Sequence, residues 1–246
     1  METLKKWRLI PLMEGEGKLQ MAIDRWLFEQ QEKGLISPVL RFYTWSKPTI
    51  SLGYLQKKYP PYWDNLIWRK EPLDLVVRPT GGRAVLHQGD LTYMIVMPLD
   101  HRKTLAIYRD ICTFLIQGLK TLGISLQYGT AKRGYIRNSS CFNTATVADL
   151  VTSDGSKVIG SAQRRGKRSI LQHGSLVLST DKELFETVFN QVAPWNLTLK
   201  EQLSNEYCRQ DIVDILTQAA EEHFKIEFTT QTLSDQEWKA ILNYPI

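Results

Sequence analysis

Two long segments of the chain repeat apolar residues every three or four positions. Residues 16–33 and 104–122 both follow this spacing, which is typical of a helix with one buried face. After residue 181 the pattern is again mostly helical. It predicts three shorter helices, over residues 182–191, 208–223 and 235–242.

Short runs rich in β-branched and aromatic residues predict strands. They span residues 39–45, 49–54, 73–78, 91–97, 148–152, 157–160 and 174–179. The fifth and sixth runs flank the turn-forming sequence Ser-Asp-Gly-Ser and predict a hairpin. Strands and helices do not alternate regularly, as they would in a doubly wound parallel sheet. We therefore expect an α+β fold, with helices packed on a mixed, mainly antiparallel sheet in residues 1–180 and a short helical C-terminal extension, residues 181–246, packed on the same domain.

The composition is that of a globular protein. With 43% hydrophobic and 23% charged residues among 246, it excludes collagen-like and largely disordered chains. Three cysteines without CxxC spacing argue against a disulfide framework and a structural zinc site. The longest uncharged apolar stretch, residues 91–99, is too short to cross a bilayer, and the first residues lack the apolar core of a signal peptide. We therefore expect a cytoplasmic protein without a membrane partner.

The net charge of +5 hides an uneven distribution. Residues 131–168 contain eight basic and two acidic residues, whereas residues 181–246 contain five basic and twelve acidic ones. A basic segment of this kind can steer acidic partners towards a site.

The three cysteines lie in different sequence environments. Cys112 and Cys208 fall on the apolar faces of predicted helices, so we expect both to be small buried hydrophobic residues. Cys141 lies in a polar, turn-forming segment, residues 138–144, within the basic region. Many loop cysteines are inert, but nearby cations favour the thiolate, and Cys141 is the candidate nucleophile.

Two further segments could contact a ligand. Residues 80–83, Thr-Gly-Gly-Arg, follow a predicted strand, and their glycines could let the backbone close around a ligand or could form an ordinary turn. His87 could be a base or a satisfied structural histidine. Lys157 precedes the Gly-Ser-Ala sequence 160–162 and could bring a positive charge to a carbonyl, although most lysines are simply solvated.

Three spaced segments form a recognisable set: RPTGGRAVLH at residues 78–87, KVIGSAQ at residues 157–163 and HGSL at residues 173–176. They resemble the Arg-x-(Thr/Ser)-Gly-Gly-(Arg/Gly)-x-Val-x-His, Lys-Val-x-Gly-Ser-Ala-(Gln/Tyr) and His-Gly-(Ser/Thr)-Leu motifs of the biotin/lipoate protein ligase and octanoyltransferase superfamily. The resemblance extends from Gly17 to Leu178. It implies that residues 1–180 form an acyltransferase catalytic domain of the biotin/lipoate ligase type.

Cys141 lies sixteen residues before Lys157, which resembles the octanoyltransferases that load the glycine cleavage H protein. The resemblance implies transfer of an octanoyl group from octanoyl-acyl carrier protein to Cys141, and then to a lysine of the H protein or another lipoyl domain, without ATP or metal. Two alternatives stay open. One is an ATP-dependent lipoate–protein ligase that uses ATP and Mg and forms a lipoyl-adenylate; the other is a non-enzymatic carrier-protein or nucleic-acid binding module. The octanoyltransferase interpretation implies a monomer that binds no nucleic acid.

The resemblance also implies site residues. Cys141 is expected as the nucleophile and Lys157 as the cation that favours its thiolate and stabilises charge on the thioester oxygen. Candidates for an apolar slot that holds the octanoyl chain are Val85, Leu86, Val158 and Ile159. The expected substrate-binding residues are Arg78, Thr80, Gly81, Gly82, Arg83, His87, Gly160, Ser161, Ala162, His173 and Gly174.

Overall fold

The structure, a computed structural model, describes residues 4–129, 149–193, 199–203 and 206–244. Its strands are β1 (Lys5–Gly15), β2 (Val39–Trp45), β3 (Thr49–Leu52), β4 (Ile67–Trp68), β5 (Glu71–Pro72), β6 (Asp74–Val77), β7 (Val85–His87), β8 (Leu91–Pro98), β9 (Gln127–Tyr128), β10 (Leu150–Val151), β11 (Lys157–Arg165), β12 (Ser169–Leu176) and β13 (Ile226–Thr230). Its helices are α1 (Gly17–Glu32), α2 (Thr104–Thr121), α3 (Lys182–Phe189), α4 (Leu199–Gln202), α5 (Arg209–Phe224) and α6 (Asp235–Leu242), with a short 3-10 helix at Pro61–Asn65.

The main sheet has the strand order β13-β1-β2-β8-β12-β11-β10-β9. β1 is parallel to β2 and to β13, and the other neighbouring strands of this sheet pair antiparallel. A smaller sheet has the order β6-β3-β7. The predicted α+β fold with a mixed, mainly antiparallel sheet is therefore confirmed.

Strand β8 is buried on both faces, which explains its nearly continuous run of apolar residues. Tyr93 and Ile95 belong to the core that contains α2 and α5, whereas Met94 and Val96 belong to the core that contains α1. Because successive side chains of a strand point to opposite faces, these two cores lie on opposite sides of the main sheet. The helices predicted from apolar spacing thus cover both of its faces.

The last part of the chain contributes a strand as well as helices. α5 packs on α2 at Gly118, where a Cβ atom would lie 2.8 Å from Leu216 Cδ2. β13 follows α5 and pairs with β1 at the edge of the main sheet. The apolar pattern does not predict β13, because Ile226 is the only one of its five residues that is buried. The boundary at residue 180 stays a prediction.

Other element boundaries also differ from the sequence pattern. β1 is missed because its polar residues obscure the alternation: Arg8 is buried at 7% exposure and forms a 2.6 Å ion pair with Glu237 of α6. β12 begins at Ser169 rather than at residue 174. The predicted hairpin is confirmed, with Leu150 of β10 opposite Ile159 of β11. No helix among the described residues combines the length and apolar character needed to cross a bilayer.

Candidate active site

A cavity of about 310 Å³ is lined by strands of the main sheet and of the β6-β3-β7 sheet. Apolar and aromatic side chains form part of its wall: Met21 from α1, Tyr43 and Trp45 from β2, Val85 from β7 and Tyr108 from α2. The sequence-predicted site residues in the wall are Arg78, Gly81, Gly82, His87, Lys157, Gly160, Ser161, Ala162, His173 and Gly174. The fold therefore brings the three sequence motifs together around one space.

The glycine loop, residues 80–83, connects β6 to β7 and is held by Arg78. Arg78 Nη2 donates to the carbonyl oxygens of Gly81 and Arg83, both at 2.7 Å, and Nη1 donates to the Ser51 carbonyl at 2.8 Å. Arg78 is 5% exposed, and its side chain holds the loop backbone in place through these hydrogen bonds. Arg83 contributes that carbonyl but does not line the cavity.

Two glycines are required where this loop meets β3. Gly82 has a φ of +94°, in the left-handed region that favours glycine. A Cβ atom on Gly53 would lie 1.9 Å from the Gly82 carbonyl oxygen. The loop can therefore approach β3 closely only because position 53 carries no side chain.

His87 lies at the end of β7 between a hydroxyl and a carboxylate. Its Nε2 is 2.8 Å from Ser51 Oγ, and its Nδ1 is 2.9 Å from Asp90 Oδ2. The Trp45 ring stacks on the imidazole, with 3.9 Å between ring centroids. Asp90 Oδ2 also accepts hydrogen bonds from Thr92 and Ser175. His87 is thus fixed from both sides.

His173 of β12 has a similar pair of neighbours. Its Nδ1 is 2.9 Å from Asp24 Oδ2 and its Nε2 is 2.6 Å from Thr80 Oγ1. Burial lowers the pKa of His173, and the Asp24 carboxylate opposes this effect only in part. Thr80 is 1% exposed and supports the wall through His173 instead of lining the cavity itself.

Lys157 forms a buried ion pair that was not predicted. Its Nζ lies 2.9 Å from Asp149 Oδ1, and the two side chains are 5% and 6% exposed. Lys157 begins β11 opposite Val151 of β10, and Asp149 comes directly before β10. A carboxylate this close compensates the burial of the ammonium group. In the sequence, Asp149 is notable only as one of two acidic residues in the basic segment 131–168. That rarity of acidic residues was the one sequence feature that could have pointed to an ion pair.

Gly160, Ser161 and Ala162 of β11 face β12 across the cavity wall. Ser161 Oγ is 2.8 Å from Tyr93 Oη, and its carbonyl accepts a 3.2 Å hydrogen bond from Tyr108 Oη. A Cβ atom on Gly174 would lie 2.4 Å from Ser161 Oγ and 2.6 Å from Tyr93 Cε1. Glycine at 174 therefore leaves room for this contact.

The apolar slot differs from the sequence-based candidates. Val85 lines the cavity. Leu86, Val158 and Ile159 instead belong to the hydrophobic cores. Strand pairing decides which face of the sheet these residues occupy. Their apolar character alone does not reveal it.

The two cysteines that the structure describes, Cys112 and Cys208, differ in solvent exposure. Cys112 is fully buried as predicted, and burial raises the pKa of its thiol to about 12. The burial of Cys208 was predicted wrongly: it is exposed and caps the N-terminus of α5, where its backbone N–H donates to Asp211 at 2.7 Å. The helix begins at Arg209, so Cys208 lies outside its apolar face. Cys141 lies outside the described residues, and its nucleophilic role stays a prediction.

Comparison with known proteins places this site in context. The profile of the lipoyl protein ligase A/B catalytic domain matches residues 16–233. The octanoyltransferase LipM of Carboxydothermus hydrogenoformans is 35% identical over 253 residues, which cover 95% of this chain and 92% of the relative. The octanoyltransferase LipM of Clostridioides difficile is 36% identical over 256 residues, covering 95% and 93%.

A solved structure shares the fold at lower identity. It is a bipartite lipoate protein ligase from Thermoplasma acidophilum, described with its E2 lipoyl domain as an archaeal lipoylation system. The TM-score is 0.71 and the identity 20%, and the superposition covers 97% of this chain and 91% of the other.

Proposed function

Since the chain belongs to the lipoyl protein ligase A/B catalytic domain family, we propose that its cavity holds the acyl group while Cys141 carries it from donor to acceptor. The enzyme is an octanoyltransferase of lipoate biosynthesis, in agreement with relatives of that name that align over nearly the whole chain. Its acceptor is a lipoyl-domain protein. We propose octanoyl-acyl carrier protein as the donor and the glycine cleavage H protein, or another lipoyl domain, as the acceptor.

The observation that carries this proposal is the Lys157–Asp149 ion pair in the wall of a partly apolar cavity. It fixes an ammonium group in a cavity wall that also contains Gly160, Ser161 and Ala162. A cation held in place stabilises negative charge on a thioester oxygen without having to reorganise during the reaction. The same positive charge favours the thiolate of a nearby cysteine.

The proposed reaction has two steps. In the first, the Cys141 thiolate attacks the thioester carbonyl of the donor, and the donor thiol leaves as the acyl-enzyme forms. In the second, a lysine amine of the acceptor attacks the acyl-enzyme, an amide forms, and Cys141 is released. Exchange between two thioesters is nearly balanced and amide formation is downhill, so the proposal needs neither ATP nor metal.

The cavity suits a saturated chain of eight carbons. Met21, Tyr43 and Trp45 supply apolar surface at the α1 side of the space. Removing the six methylenes of an octanoyl group from water contributes about 5 kcal/mol, at about 0.8 kcal/mol each. Lys157 and His87 line the same cavity, with His87 stacked on Trp45, and the proposal places both near the reactive carbonyl.

Basic residues at the end of β11 provide a surface for acidic carriers. Arg164 and Arg165 are exposed, as are Lys167 and Arg168 in the following turn. Arg164 also lies over the Phe28 and Tyr54 rings, which restricts its direction. Because acyl carrier proteins and lipoyl domains are typically acidic, this rim would speed the encounter with both partners, and salt would weaken the effect. The cytoplasmic location stays a prediction.

A comparison of donors tests the function. Apo H protein is incubated with the enzyme and either octanoyl-acyl carrier protein alone or octanoate with ATP and Mg, and octanoylation is measured by intact-protein mass. The proposal expects modification with the first donor alone. Modification that requires octanoate and ATP would establish a ligase, and modification with neither donor would contradict the proposal. Salt-sensitive nucleic-acid binding without transfer would favour a binding module.

A further inference from the structure

Two histidines line the cavity, and each lies between a buried carboxylate and a hydroxyl group. His87 lies between Asp90 and Ser51, and His173 lies between Asp24 and Thr80. The proposed function uses neither as an acid or base. Yet its second step starts from a lysine amine, whose ordinary pKa of about 10.4 leaves only ~1 in 2,500 neutral at pH 7.

The partners of His87 determine which ring nitrogen is free to act as a base. The Asp90 carboxylate only accepts hydrogen bonds, so Nδ1 carries the proton. Nε2 is left with its lone pair and accepts from Ser51 Oγ at 2.8 Å. The hydroxyl in turn accepts from Arg78 Nη1 at 3.3 Å. The hydrogen bonds therefore point in one direction, from Arg78 through Ser51 to His87 Nε2.

The carboxylates behind the two histidines differ. Asp24 is already paired with Arg41 at 3.2 Å and accepts from Tyr43 at 3.0 Å. Asp90 is 2% exposed, and among the described residues its ion-pair partner is His87 alone, while its Oδ1 has no hydrogen-bond partner. A buried carboxylate without another cation stabilises an imidazolium ring beside it, whereas a neutralised one does so much less.

The charged groups around His87 come from several elements. Asp90 lies on the loop after β7, and Arg78 reaches Ser51 of β3 from the loop after β6. Burial lowers the pKa of His173 of β12, and the charge of His87 lowers it further. Of these groups, Asp90 is the carboxylate in direct contact with His87.

We propose that His87 is the general base of the second step and that Asp90 is its positioning residue. The inference rests on the proposed acyl transfer. The acceptor lysine enters as an ammonium group; His87 Nε2 takes one of its protons, directly or through Ser51 Oγ, and the neutral amine then forms its bond to the acyl carbon. The bond from the acyl carbon to Cys141 Sγ breaks and leaves the thiolate. The second proton passes from the new amide nitrogen to that thiolate, and His87 releases its own proton to water, so that protons and charge balance.

The first step has less need of this base. A donor thiol leaves readily as a thiolate, and a cation already favours the attacking cysteine thiolate. General base catalysis typically contributes 10²- to 10⁴-fold. We therefore expect His87→Gln to slow discharge of the acyl-enzyme to the acceptor lysine by about 100-fold or more, and to slow formation of the acyl-enzyme much less.

Single-turnover kinetics on the full chain separate the two steps. Octanoyl-acyl carrier protein is mixed with His87→Gln, Asp90→Asn, Ser51→Ala and His173→Gln variants, and the acyl-enzyme is followed by mass before and after apo H protein is added. The matched control is His223→Gln, which removes another His–Asp pair, 2.9 Å from Asp110 and away from the cavity. Acyl-enzyme formation shows that each variant has folded.

A second nucleophile gives a readout that a purely structural role would not change. Hydroxylamine is already neutral near pH 7, so it should discharge the His87→Gln acyl-enzyme as fast as the wild-type one. Slow discharge to lysine with normal discharge to hydroxylamine supports the proposal. Equal slowing for both nucleophiles, normal discharge to lysine, the specific defect in His173→Gln instead, or an acyl group mapped to Ser51 would each overturn it. If wild-type enzyme forms no acyl-enzyme, the proposed function itself fails.

Discussion

Because Lys157 and Asp149 form a buried ion pair, the effects of Lys157→Met and Asp149→Asn on the free energy of unfolding should be strongly coupled. Both side chains are about nine-tenths or more buried, and the ion pair measures 2.9 Å. Replacing Lys157 with Met leaves the Asp149 carboxylate without this ammonium group. Removing one partner of a buried pair typically costs about 3–5 kcal/mol, because an uncompensated charge stays inside the protein.

The double variant Lys157→Met/Asp149→Asn removes both charges. It should recover much of that loss, since an uncharged pair needs no compensation. We therefore expect the two single losses to exceed the loss in the double variant by at least about 2 kcal/mol. Lys167→Met, at an exposed lysine thirteen sequence positions from Asp154 in the same basic segment, serves as the control and should change stability by less than about 0.5 kcal/mol.

Urea unfolding at neutral pH measures all four variants. Additive losses, or a Lys157→Met protein as stable as wild type, would refute the reasoning. Activity adds a separate readout: the double variant should fold and still fail to form an acyl-enzyme, because its cavity wall has lost the cation. A folded double variant with wild-type transfer would remove Lys157 from the mechanism.

Four further predictions test other parts of the structure. Gly174→Ala should reduce transfer strongly, since its Cβ would meet Ser161 and Tyr93 within 2.6 Å, and single-turnover transfer measures it; normal transfer would show that the wall can yield. Iodoacetamide at pH 8 should modify exposed Cys208 but not Cys112, whose thiol pKa of about 12 keeps it protonated, as peptide mass mapping would show; labelling of native Cys112 would contradict its burial. Arg8 holds the pKa of Glu237 below the ordinary 4.5, so its stabilisation is present above that value and lost as pH falls through the lower folded-state pKa. The difference in unfolding free energy between wild type and Glu237→Gln should then shrink towards about pH 3, and a constant difference would contradict this. Charge reversal at Arg164 and Arg165 should lower kcat/KM for the carrier donor about 10-fold at low salt and less at high salt; an effect independent of salt would exclude steering.

The sequence pattern predicted the elements that bury one clear apolar face. α1 and α2 show the helical spacing over their whole lengths. β13 did not, because it is an edge strand with mostly exposed side chains. β1 did not either, because the buried Arg8 takes a position where the pattern expects an apolar residue. These two strands form because they pair with each other at the edge of the main sheet, and a local pattern of apolar residues does not reveal such pairing.

The site was predicted in part for the same reason. The motifs identified part of the cavity wall, but the contacts between its residues depend on pairing between distant strands. Ser51 and His87 meet because β3 pairs with β7, and nothing in either local segment predicts that contact. Asp149 is a second case: the β10–β11 register places Val151, not Asp149, opposite Lys157, so the predicted hairpin does not by itself predict the ion pair.

The most direct test of the proposed chemistry is the intact mass of the enzyme after mixing with octanoyl-acyl carrier protein in the absence of an acceptor. Wild type, Cys112→Ala and Cys208→Ala should each gain one octanoyl group, and Cys141→Ala should gain none. Loss of the adduct on addition of apo H protein should match the amount of octanoylated product. An adduct that persists in Cys141→Ala, or transfer to H protein by that variant at the wild-type rate, would contradict a Cys141 thioester.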